Sequence, residues 1–160
     1  MLDIPSISAI VATVGVLVGV ALALLQLRDL VKTRQTDLVM RLYSTFGSRE
    51  HMEAYRGTMT MEFKDYDEFI KKYPSGTLEN TMVSTVCAFY EGVGVLLHRK
   101  LIDIDLVDDL FSTPIIQIWE KMEHIVKEGR KRLKRPQIWE WFEYLYNEMQ
   151  KREQQLAKTQ

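Results

Sequence analysis

The sequence predicts an all-α chain, with one N-terminal transmembrane helix continuing into a membrane-proximal helical bundle of about four main helices. Three observations carry this. The 24 residues Ile4–Leu27 include no charged side chain. Beyond them, apolar residues recur at i, i+3, i+4 and i+7 in one segment after another. No alternating strand pattern and no Asn-Gly or Asp-Gly hairpin turn interrupts them. At 160 residues the chain suffices for one ordinary domain plus an anchor.

The apolar run sets the first element. As a helix, residues 4–27 span about 36 Å, against a bilayer hydrocarbon core of roughly 30 Å. A soluble core helix rarely stays apolar on every face for so long. A secretory signal would want a basic start, a shorter apolar run and a small-x-small cleavage site. Only Ala21–Ala23 resembles such a site, and the sole charge ahead of the run is Asp3. The reading is an uncleaved anchor over 4–27. Arg28, Lys32, Arg34 and Arg41 follow the run and no Lys or Arg precedes it. Basic residues near a span stay cytoplasmic, so the expected location is the inner or plasma membrane, single-pass, N-terminus outside and domain inside. Gly15 and Gly19 form a G-x-x-x-G with Ala23 and Val11 in register, a face small enough for another helix to approach closely.

The bundle is expected over 28–150, resting directly on the membrane because the first helix is shared, with a polar, frayed tail over 151–160. The anchor helix runs on through Leu38, Leu42 and Phe46 until Gly47 stops it. Ser48 caps a short helix closed by Gly57. "DYDEFIKK" is another, stopped by Pro74 and Gly76. A long helix from about Thr77 to Lys100 carries Val83, Val86, Cys87, Tyr90, Gly94 and Leu97 on one stripe. Asp103 or Asp105 caps a short helix, "LVDDLFS". Thr113–Pro114 then reads as N-cap and first position of a new helix through "IIQIWEKMEHIVKEGRKRLKR". Pro136 resets the chain before a last helix bearing Trp141, Phe142, Leu145 and Met149. Tyr90, Leu97, Trp119, Trp141 and Leu145 are expected in one core.

The blocks "LVMRLYSTF", "FYEGVGVLLHRKLIDIDLVDDLF", "IIQIWEKMEHIVKEGRKR" and "WEWFEYLYNEM" together resemble a domain-of-unknown-function family of small bacterial and archaeal helical proteins, many with one N-terminal membrane helix. The resemblance covers roughly residues 33–149. It implies an all-α fold beside a membrane and carries no activity or catalytic residue.

Chemistry-bearing motifs are sparse. The 21 Lys+Arg against 22 Asp+Glu argue against a generally nucleic-acid-binding chain. A single cysteine, Cys87, excludes an internal disulfide framework and multi-cysteine metal sites. His51, His98 and His124 are far apart, and neither the paired Glu-x-x-His of di-iron bundles nor His-Glu-x-x-His is present. Glu120 and His124 share a face but have no third partner. "GVG" at 92–94 lacks the strand and fresh helix start of a phosphate loop. Gly92 and Gly94 each cost about 1 kcal/mol in a helix relative to Ala, and allow close helix contact or a kink. No catalytic residue, metal ligand or cofactor is assigned.

Glu91 stands out because its neighbours are apolar. A carboxylate near the core needs a partner or becomes protonated. Arg41 is its first expected partner and Arg130 its second, in a buried pair fixing helix register. The competing reading is a ligand- or proton-handling carboxylate. Breaking such a pair would cost about 3–5 kcal/mol. "KEGRKRLKR" sets Lys127, Arg130, Lys131, Arg132, Lys134 and Arg135 beside one Glu, either as a solvated helix end or as an anionic-lipid patch. The partners expected are the bilayer and either a second copy or a membrane protein, rather than nucleic acid. Two functional classes follow: a membrane-tethered interaction, regulatory or accessory protein, and a small-ligand sensor or enzyme with a pocket around Glu91.

Overall fold

A computed structural model describes the backbone of residues 4–159 and the side chains of 12–155 and 157. The helices, in chain order, are α1 (Ile4–Phe46), α2 (Arg49–Thr60), α3 (Tyr66–Lys72), α4 (Leu78–His98), α5 (Ile104–Leu133) and α6 (Glu140–Thr159). No strand occurs among the described residues. The chain divides into two compact units, Met1–Asp37 and Leu38–Gln160.

The described part of the first unit, residues 4–37, is helix, and it is uncharged up to Leu27. Val14, Leu17, Leu22, Leu24 and Leu27 are all more than half exposed, with no protein covering them. Among the described residues, two stretches are long and apolar enough to cross a membrane, Ala12–Phe46 of α1 and the whole of α4. They differ in what surrounds them, because α4 buries Val83, Val86, Cys87, Tyr90, Val93, Gly94 and Leu97 within the second unit. Val11, on the expected small-residue face, lies outside the described side chains.

The second unit is built around α4, which packs against α2 and α6, while α5 packs against α6, α3 and α2. The final turns of α1 join this core: Val39 is buried, and Phe46 lies on the rings of His51, Phe89 and Phe111. Side-chain caps start the helices, because the first turn leaves backbone N–H groups without acceptors. Ser48 accepts from the His51 N–H at 3.2 Å, Asp65 from Glu68 at 2.9 Å, Thr77 from Asn80 at 3.3 Å and Asp103 from Asp105 at 2.7 Å.

Two boundaries depart from expectation. Gly57 does not end α2, which continues to Thr60 so that Thr58 and Met61 are buried. Pro114 does not open a new helix. It lies inside α5, where the missing N–H and the ring clash cost about 3 kcal/mol. Burial of Val107 and Phe111 before it and Ile115, Ile118 and Trp119 after it keeps both halves on one stripe and outweighs that cost. The segment from 151 is helical through Thr159. There Arg152 reaches back to Asp105 and Asp108 on α5.

Trp141 also differs. It is half-buried at the α4–α6 edge, with its ring 4.3 Å from that of His98, whereas Tyr90, Leu97, Trp119 and Leu145 are buried. Phe142 takes the core place, stacked on Tyr90 with ring centres 5.1 Å apart.

Candidate functional site

The chemistry-bearing residues converge on the start of α6. The N–H groups of its first turn lack acceptors within the helix, and no residue immediately before it provides a side-chain cap. Glu91, half-buried on α4, supplies one from a distance. Its carboxylate accepts a hydrogen bond from the Phe142 N–H at 2.8 Å. Burial pushes the Glu91 carboxyl above the usual carboxylate range, while hydrogen bonds from the Phe142 and Trp141 N–H groups pull the other way. The charge of Glu140 adds to the rise and that of Arg130 opposes it. A negative group at a helix N-terminus is also favoured by the helix dipole.

This corrects the expected ion pair. Arg130 is half-buried on α5, but its Nε donates to the Ile138 carbonyl at 2.7 Å and its guanidinium pairs with Glu143. Arg41 is exposed on α1. Glu91 and Arg130 serve the same junction without touching: one caps the start of α6, and the other ties the turn before it to α5. Sequence reasoning looked for a side-chain partner, whereas Glu91 found a backbone one.

A prediction separates the cap from an ion pair. Glu91→Gln keeps an oxygen for the Phe142 N–H and should change stability by less than about 1 kcal/mol at neutral pH. Glu91→Ala removes the acceptor and should cost about 1–2 kcal/mol. The sign of the pH effect follows from the raised pKa. The favourable contribution of Glu91 is complete below the unfolded carboxyl value and fades as pH rises through the folded one. The wild type should therefore gain stability on acidification from neutrality relative to Glu91→Gln. Urea unfolding of the full chain in mild detergent at two pH values measures both effects, and equal losses for Gln and Ala would refute the cap.

Gly94 lies at a close approach of α4 to α6. A Cβ there would lie 2.0 Å from the Trp141 carbonyl oxygen. Gly94 is therefore the close-contact glycine, while a Cβ on Gly92 would meet nothing within 4 Å.

The basic segment is largely tied to the protein's own acids. Lys127 pairs with Glu123, Lys131 with Glu128 at 3.7 Å, and Arg132 with both Asp67 and Glu128. Arg132 also lies over the Tyr66 ring at 4.8 Å. Lys134 ends α5 in the left-handed conformation, φ 53°, and with Arg135 it is exposed.

The histidines do not converge. His51 is buried among Phe46, Phe89 and Tyr90, and burial lowers its pKa. His98 packs on Trp141 and Tyr144, and His124 on Phe63. Among the described residues, no group of three or more His, Cys, Asp or Glu is placed to hold a metal ion. Cys87 is fully buried, and burial followed by the Glu91 charge pushes its thiol up to about 12.

The bundle also holds a recess of about 220 Å³ between α3, α4, α5 and the α5–α6 turn. Phe69, Val83, Cys87, Met122 and Val126 form its buried floor. Neither Glu91 nor Tyr90 lines it, so it is not the pocket the sequence placed around Glu91.

Residues 13–149 match the family model described as a domain of unknown function, DUF4760. No curated protein and no solved structure matches the chain.

Proposed function

We propose, for a chain that belongs to the DUF4760 family of unknown function, the role of a membrane-tethered interaction protein acting as an accessory or regulatory subunit. The observation that carries this reading is the Ala12–Leu27 part of α1, an apolar surface that no other part of the protein covers. Such a surface is costly in water and matched by lipid. The cell membrane is its site, with the N-terminus outside and residues 28–160 in the cytoplasm, on the strength of the basic residues that follow the run. Gly15, Gly19 and Ala23 give α1 a face open to a second membrane helix, from another copy or a partner, since a Cβ on either glycine would meet nothing within 4 Å. Lys134 and Arg135, exposed and outside the ion pairs that hold Lys127, Lys131 and Arg132, are the cations of the basic segment offered to anionic lipid.

The rival reading, a sensor or enzyme centred on Glu91, loses its motive because that carboxylate is committed to the α6 backbone. The test is fractionation of cells expressing the full chain, followed by purification in mild detergent. The chain should stay with membranes through alkaline carbonate, keep its first residues by intact mass, resist protease added outside intact cells, and co-purify with a second copy or a membrane protein. Release by carbonate, or loss of about the first 23 residues at the Ala21–Ala23 site, would overturn the tether.

A further inference from the structure

A second hollow, of about 520 Å³, lies at the end of α5, lined by Lys127, Arg130, Lys131, Lys134 and Pro136. Lys127, Lys131 and Lys134 follow at i, i+4 and i+7, on one face, where like charges repel. No carboxylate lines the hollow among the described residues. Two of its cations are fixed by acids that do not line it. Lys127 pairs with Glu123 at 2.5 Å, and Arg130 pairs with Glu143 and donates its Nε–H to the Ile138 carbonyl at 2.7 Å. Neither cation is used up, since an ammonium has three N–H donors and a guanidinium five. The Nη2 of Arg130 is buried without a hydrogen-bond partner. Lys131 is 3.7 Å from Glu128, beyond hydrogen-bond length, and Glu128 already accepts from Arg132 at 2.9 Å. Lys134 is exposed and takes part in no ion pair among the described residues. The helix-end carbonyls, which would repel an anion, are occupied. That of Arg130 accepts from the Arg135 N–H at 3.1 Å and that of Lys131 from the Lys134 N–H at 3.3 Å.

We propose that this hollow binds the phosphate group of a phosphate monoester. The charge of the ligand follows from the uncommitted cations. Lys131 and Lys134 have no hydrogen-bonded acid, and a monoester carries about −1.5 to −2 at neutral pH. Its shape follows from the donors. They come from three ammonium groups and one guanidinium around a hollow, and the three terminal oxygens of a phosphate accept from several sides, whereas a carboxylate offers two oxygens in one plane. Arg130 is already held by Ile138 and Glu143, so it loses little freedom on binding. An oxyanion in the hollow that Arg130 lines supplies an acceptor for its unpartnered Nη2. The volume is many times the ~30 Å³ share of a water molecule, so the phosphate keeps part of its hydration and its ester group stays outside. A lipid head group and a soluble monoester both carry this group. Toward lipid, the site rests on the membrane-tethered reading above; toward a soluble monoester it does not.

The test uses the full chain, ¹⁵N-labelled at arginine, in phosphatidylcholine nanodiscs. The probes are glycerol 3-phosphate in solution and phosphatidic acid in the disc, with phosphatidylserine as an anionic lipid that has no monoester. The Arg130 Nε–H, bonded to the Ile138 carbonyl, is the reporter. The Arg152 Nε–H, bonded to Asp108 at 2.7 Å and lining no part of the hollow, is the control. A monoester should shift the Arg130 signal saturably and leave that of Arg152 in place. A response to glycerol 3-phosphate assigns a soluble ligand, and a response to phosphatidic acid alone assigns a lipid. Lys131→Gln with Lys134→Gln, both exposed, should weaken the response by about tenfold or more, and Arg135→Gln, exposed but outside the hollow, by far less. An Arg130 signal unmoved by both monoesters, or an undiminished response in the double variant, would overturn the site. An equal response to phosphatidylserine, or as large a loss from Arg135→Gln, would replace it by diffuse attraction to charge. Release of the chain by carbonate would overturn the tether and leave the glycerol 3-phosphate response standing, whereas no response in a chain that resists carbonate would overturn the site alone.

Discussion

Trp119→Ala should destabilise the helical unit by about 3–5 kcal/mol, the range for truncating a large aromatic in a packed core. Trp119 is fully buried on α5, its ring edge-on to Phe142 at 5.0 Å and 6.0 Å from Tyr146. Phe142 in turn stacks on Tyr90 of α4. Removing the indole therefore opens a void where α4, α5 and α6 share their aromatic contacts, and the rigid rings around it cannot collapse to fill it. Trp119 has a second property that sharpens the test. Its indole Nε1–H is buried without a hydrogen-bond partner, a state that costs about 1–3 kcal/mol. Trp119→Phe keeps most of the packing and removes that donor, so it should lose less than half of what Trp119→Ala loses. Chemical unfolding of the full chain in mild detergent, followed by near-ultraviolet circular dichroism, gives both values. A loss below about 1 kcal/mol for Trp119→Ala would mean that the α5 stripe does not form the core.

The features legible in the sequence were those written in local patterns. The uncharged run marked α1, and Gly47 marked its end. Ser48 announced a helix start through a side chain able to reach an N–H three residues on, and Asp103, one of the two aspartates that could, did so two residues on at α5. Apolar spacing placed Tyr90, Leu97, Trp119 and Leu145 inside. The failures share a different cause. Pro114 obeys a local rule that α5 overrides by burying the same stripe on both sides of it. Glu91 and Phe142 are 51 residues apart, and a carboxylate that caps a distant helix leaves no spacing to read. Its apolar neighbours rightly flagged it as needing a partner, but nothing local said that the partner would be main chain. The recess was equally hidden, since it arises where three helices and a turn diverge around Gly129 and Trp139.

Gly94→Ala should be the most disruptive small substitution in α4, costing about 3 kcal/mol or more, at or above the upper end of what overpacking does. The added methyl would sit 2.0 Å from the Trp141 carbonyl oxygen and 2.6 Å from its carbonyl carbon. Those are backbone atoms, so no rotamer change can relieve the overlap, and α6 must move away from α4. That movement has a further consequence. Trp141 adjoins Phe142, whose N–H is bonded to Glu91, so displacing α6 also opens the cap at its start. The clash and the lost cap are then one event, and Gly94→Ala should not add to Glu91→Ala when the two are combined. Gly92 provides the control. It is in the same helix and exposed, and its Cβ would meet nothing. Gly92→Ala should therefore stabilise the unit by about 0.5–1 kcal/mol through helix propensity alone. Two glycines two residues apart are thus expected to respond with opposite signs. Paired urea-unfolding curves for the two variants test this directly: a Gly94→Ala chain as stable as wild type would mean that α4 and α6 are not in contact at this point, and full additivity with Glu91→Ala would separate the cap from the contact.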